Sequence, residues 1–138
     1  MREEIFRSVT EWLHSLAEDQ IQEKIVDTML SSMEEPLKSS LPPDEMFAMI
    51  PPQMKRQIKD QIVSSVKAQT LISLRSLINA NRDNGDINKL IVEKHFSKEA
   101  QEEGLVHVER YSEAYAQEVE SFYQKIQTSD LDRVIHFN

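Results

Sequence analysis

The sequence predicts an all-α protein, a helical bundle of about four main helices with two or three short ones, and three observations lead there. Glycine occurs only at Gly85 and Gly104, so the turn residues that strands need are missing. Good helix formers such as Glu, Gln, Lys, Leu, Ile and Met dominate. Apolar residues also recur at spacings of three and four over most of the 138 residues.

The elements follow in order. Ile5, Phe6, Val9, Trp12, Leu13 and Leu16 fall on one face of a helix over 2–17. Asp19 and Gln22 form a capping pair, after which Ile21, Ile25, Val26, Met29, Leu30 and Met33 make a second stripe ending at Pro36. A loop is expected over 38–42, then a short helix over 43–50 with Asp44 and Glu45 in its first turn. Pro51 and Pro52 end it, because proline lacks an amide donor and drives the preceding residue out of the helical region.

Residues 52–81 predict the longest helix. Its apolar side shifts between Met54, Ile58, Ile62 and Val66 and the later Val63, Leu71, Leu74, Leu77 and Ile78. A bend near Lys67–Gln69, or a change of neighbours along the helix, is therefore expected. Arg82-Asp-Asn-Gly-Asp86 is a turn, with Asp86 capping a helix through Ile87, Leu90, Ile91 and Phe96. Ser97 caps the next, which runs to Gln127 with a seam at Leu105, Val108, Ser112, Tyr115, Val119, Phe122 and Ile126. That seam suits packing inside a bundle or, as an alternative, a homodimer through residues 105–126. Leu131, Val134, Ile135 and Phe137 predict a short terminal helix or a docked tail.

Composition narrows the function. With no cysteine, disulfides, thiolate zinc sites and thiol nucleophiles are excluded. Charges at Arg2, Glu3, Glu4, Arg7 and Glu11 leave no apolar core for a secretion signal, and no stretch has the roughly 18 apolar residues of a membrane span, so a cytoplasmic location is expected. No repeat, linker or low-complexity tract divides the chain, and 1–138 is expected to be one helical domain. The net charge is −8, distributed as −7 over 1–50, +5 over 51–82 and −6 over 83–138. An acidic surface repels phosphate, which makes nucleic acid an improbable partner.

Candidate chemistry is sparse. Glu11 and His14 have the Glu-x-x-His spacing of carboxylate-bridged di-iron bundles, but they project away from Val9, Trp12 and Leu16, and the pattern does not recur. Glu103 and His107 are one turn apart and also project away from the seam, while His95 and His136 have no evident partner. Residues 79–90 alternate oxygen-bearing side chains as a calcium loop does. Gly85 then falls one position late, and Leu90 stands where the bidentate glutamate belongs. Glu102, Glu103, Glu109, Glu113, Glu118 and Glu120 are expected mostly on the polar side, and no phosphate loop or nucleophile elbow occurs. No enzyme activity, metal or cofactor is expected.

Two features suggest binding. Met46, Phe47, Met49, Ile50 and Met54 form an apolar, Met-rich segment between double prolines, either a partner-binding surface or a lid on the core. Lys55, Arg56, Lys59 and Lys67, with Arg75 and Arg82 beyond, form a basic face suited to an anion or an acidic partner, or to neutralisation by the acidic flanks. The expected function is that of a protein–protein interaction module: an adaptor, regulator, chaperone or inhibitor, or a small subunit of an assembly. The alternatives are a nucleic-acid-associated protein acting through 52–82 and, third, a carboxylate-bridged metal enzyme.

Overall fold

The computed structural model describes residues 1–80, 85–104 and 108–136. Among them the chain forms seven α-helices and no strand, the all-α bundle that the periodicity predicts. They are α1 (Arg2–Leu16), α2 (Gln20–Ser40), α3 (Asp44–Ala48), α4 (Lys55–Ala80), α5 (Gly85–His95), α6 (Lys98–Glu102) and α7 (Val108–Thr128). Short 3-10 turns occupy Pro52–Met54 and Leu131–Arg133. Arg82 and the turn around it, Leu105, His107 and Phe137 lie outside the described residues.

The stripes converge on one hydrophobic cluster that runs from Ile5 in α1 to Ile135 in the C-terminal segment. Trp12 is buried with its indole N–H donating to Ser129 Oγ at 2.7 Å, so the largest aromatic meets its polar requirement inside the core. Asp19 caps α2 by accepting from the Gln22 amide at 2.9 Å. The Gln22 side chain does not return the bond to Asp19; its Oε1 accepts from the Glu18 amide at 2.8 Å and from Lys125 at 2.7 Å.

Three expected boundaries move. Helix α2 runs through Pro36 to Ser40. The missing proline hydrogen bond costs roughly 3 kcal/mol, which burial of Leu37 and Leu41 offsets at about 1.5–3 kcal/mol each. Helix α5 starts at Gly85, so Asp86 is in its first turn rather than at its cap. The long helix expected from Ser97 is interrupted: Ser97 does cap α6, accepting from the Ala100 amide at 3.1 Å, but α6 ends after five residues. Gly104 adopts φ +70°, a left-handed conformation that closes a helix C-terminus and that glycine reaches without strain.

Helix α4 is continuous over 26 residues, with Ile62, Val66, Thr70, Leu74 and Leu77 on its buried side. Its neighbours change along its length, one of the two arrangements that the shifting pattern predicts. Lys67 reaches the Ser129 carbonyl at 3.0 Å near the middle of the helix, whereas the Leu77 carbonyl near its end accepts from the buried Tyr115 hydroxyl at 2.8 Å. In α7, Tyr115, Val119, Phe122 and Ile126 are all buried in the chain's own core. The part of the homodimer seam from Tyr115 to Ile126 is therefore spent within the chain.

Candidate interaction surface

The segment between α2 and α4 is held at both ends. Arg2 takes the carbonyls of the two residues that follow α2: Nη2 donates to the Leu41 carbonyl at 2.6 Å, and Nε lies 3.1 Å from both the Leu41 and the Pro42 carbonyl oxygens. The Arg2 amide donates to Asp44 Oδ1 at 3.0 Å and, as the foremost cause, holds that carboxyl below the ordinary aspartate value. Helix α3 then makes little more than one turn before Met49 caps it, and the amide-less Pro51 and Pro52 prevent continuation into α4.

A helix of five residues has one side to bury. Phe47 takes it, at 4% exposure, and Ile50 packs half-buried against the core. The remaining side chains face outward, with Met46 56%, Met49 78% and Met54 43% exposed. The five residues read as one apolar group thus divide: Phe47 is a core residue and is removed from the contact surface, Ile50 stands between, and three methionines are presented. A groove of about 200 Å³ lies between the end of α2 and α4, lined by Leu41, Pro42, Ile58 and Ile62 together with the polar Ser40, Gln61 and Ser65.

The basic face is largely engaged by the C-terminal segment. Arg56 lies 3.2 Å from Asp60 and 3.3 Å from Asp132, and Lys59 is 3.9 Å from Asp132. Such exposed pairs contribute about 0–1 kcal/mol each, so their main consequence is local neutralisation rather than stability. Lys67 is drawn to the Ser129 carbonyl, and Arg75 lies over the Tyr123 ring at 4.6 Å. Only Lys55 of the four proposed anion-binding residues has no such partner among the described residues.

Glu118, expected on the polar side, is 4% exposed. Its Oε1 lies 2.7 Å from His95 Nε2 and 2.8 Å from Lys94 Nζ, and Lys94 reaches on to Asp19 at 3.1 Å. The Glu118 carboxylate raises the Lys94 ammonium above its ordinary value. Burial alone would raise the Asp19 carboxyl, but the Gln22 amide and Lys94 more than offset it and hold it below the ordinary value. This network ties the start of α2 and the end of α5 to α7. A signal was available: Glu118 is one turn from both Ala114 and Phe122, which puts it on the seam side, and Lys94 and His95 are adjacent hydrogen-bonding side chains at a helix end.

A cavity of about 180 Å³ beside the network is lined by His95, Arg110, Glu113 and Gln117. Its charges are mixed, and the Arg110 guanidinium lies over Phe96 at 5.1 Å, so no nucleophile or uniform field for a ligand is assembled. His14 turns to α2, at 2.9 Å from Glu23 and 3.8 Å from Asp27, while Glu11 is exposed. Among the described residues no three His, Cys, Asp or Glu side chains are grouped to hold a metal ion, and no helix is long and apolar enough to cross a membrane. His136 is exposed in the C-terminal segment. Comparison with known proteins gives no match: no family model, curated protein or solved structure is significantly similar to this chain.

Proposed function

We propose that this chain is a cytoplasmic protein-binding module, acting as an adaptor, regulator or subunit of an assembly, without catalysis, through the surface formed by Met46, Met49 and Met54. The observation that carries this reading is the division within the proline-bracketed segment: one aromatic anchors it to the core while three methionines are left in water. Burying a methionine is worth about 1.5–3 kcal/mol, so the apolar area that the short α3 leaves outside is still available to a partner. Unbranched, polarizable side chains adapt to the surface of a partner helix, and prolines on both sides limit the backbone entropy lost on docking. Engagement of Arg56 and Lys59 by Asp132 weighs against the nucleic-acid alternative, because those cations are already shared with carboxylates.

The test is the combined Met46→Ser, Met49→Ser and Met54→Ser variant, measured for thermal stability and for recovery of partners from a native extract. The expected result is a fold kept intact, each change costing within about 1 kcal/mol, with partners lost. Retention of every partner by a folded variant would remove this surface from consideration.

A further inference from the structure

The charges flanking the methionines have opposite signs at the two ends of the segment. Asp44 and Glu45 open α3, and Lys55 and Arg56 open α4, with no charged residue between Glu45 and Lys55. The two flanks are also fixed to different parts of the molecule, Asp44 against the start of α1 through the Arg2 amide and Arg56 against Asp132 in the C-terminal turn. Among the described residues, neither Glu45 nor Lys55 takes part in an ion pair. An apolar patch with an acidic end and a basic end is self-complementary under a two-fold rotation, which sets each acidic end against the other copy's basic end.

Resting on the reading of this segment as a binding surface, we propose that its occupant is a second copy of this chain, docked about a two-fold axis so that Met46, Met49 and Met54 of the two copies meet and Glu45 of each faces Lys55 of the other. The rest of the molecule argues for the same place. The chain carries −8, and acidic residues predominate on both sides of the basic stretch, so most surfaces of two copies repel. Across 44–56 the acidic and basic residues balance, and the like-charge penalty is least there. Three methionines make a small interface, below the roughly 1,000 Å² of stable complexes, so the dimer is a weak one that forms at high concentration.

Sedimentation equilibrium of the intact chain, from about 1 µM to about 1 mM, tests this. The weight-average mass is expected to climb from 16.1 kDa toward twice that value. Glu45→Lys alone and Lys55→Glu alone each disrupt two symmetry-related pairs and are expected to weaken association by roughly threefold or more, whereas the double exchange restores it. Circular dichroism is expected to be unchanged in all three, since neither residue holds the fold through an ion pair. Met49→Ser, a change without charge, is expected to weaken association as well. A mass that stays at 16.1 kDa throughout, or association indifferent to the single reversals, overturns the second-copy assignment. Monomeric behaviour combined with partner loss in the methionine variant would leave the surface intact as a site for a different protein, so failure here is distinct from failure of the broader reading.

Discussion

Helix α7 and the segment from Asp44 to Met54 are both rich in large apolar side chains, and the bundle treats them in opposite ways. In α7, Tyr115, Val119, Phe122 and Ile126 recur with the helical period, so a single orientation buries all four. In the segment, α3 completes scarcely more than a turn before the prolines intervene, and no orientation can bury Met46, Phe47 and Met49 together. Phe47 faces inward and the methionines face out. Length, then, decides whether apolar content becomes core: a long stripe can be buried as a whole, whereas a short one must divide.

The sharpest test of that contrast is at α7. Phe122 is fully buried, and Phe122→Asp or Val119→Asp would place an unpaired carboxylate there, at a cost of several kcal/mol, comparable with the whole stability of a domain this size. Loss of the helical circular-dichroism signal at room temperature is expected. Glu113→Ala and Glu120→Ala, both at exposed positions, serve as controls and should leave the signal unchanged. A folded Phe122→Asp protein would mean that the seam is not the centre of the core.

The same logic divides the segment itself. Phe47→Ala removes an aromatic that is 4% exposed and should cost about 3–5 kcal/mol, a fall in melting temperature on the order of 10 °C or more. A fall of only a degree or two would place Phe47 with its neighbours on the surface and erase the distinction drawn here.

Much of this could be seen in the sequence. The stripes in α1 and α2, the Asp19 and Ser97 caps, the continuity of α4 and the docking of Leu131 and Ile135 all follow from periodicity, capping chemistry and proline position. What escaped was settled at longer range. Pro36 stays inside α2 because Leu37 and Leu41 find burial against distant elements, which no local rule registers. The helix expected from Ser97 to Gln127 would pass through Gly104, whose positive φ instead follows the end of α6. Glu118 was assigned to the polar side because its partners, Lys94 and His95, are 24 and 23 residues away in the chain. At the candidate surface, composition located Met46–Met54, but the choice of Phe47 as the anchor depended on which residue the core had room to accept.

The smallest effects on stability are expected at the methionines, and their order is informative. Transfer free energy scales with the area removed from water, so a side chain still largely solvated in the folded state loses little when it is made polar. Exposure rises from 43% at Met54 to 56% at Met46 and 78% at Met49, so single serine substitutions should cost progressively less in that order. All three are expected within about 1 kcal/mol of the parent chain, with Met49→Ser within about 0.5 kcal/mol. Urea titration resolves such differences through the midpoint, provided the slope is unchanged. The reverse order, or a Met49→Ser cost near that of Phe47→Ala, would show that the segment is a lid whose methionines pack against the core. With the predicted order, the apolar area at Met49 contributes almost nothing to folding and is free for contact with another surface.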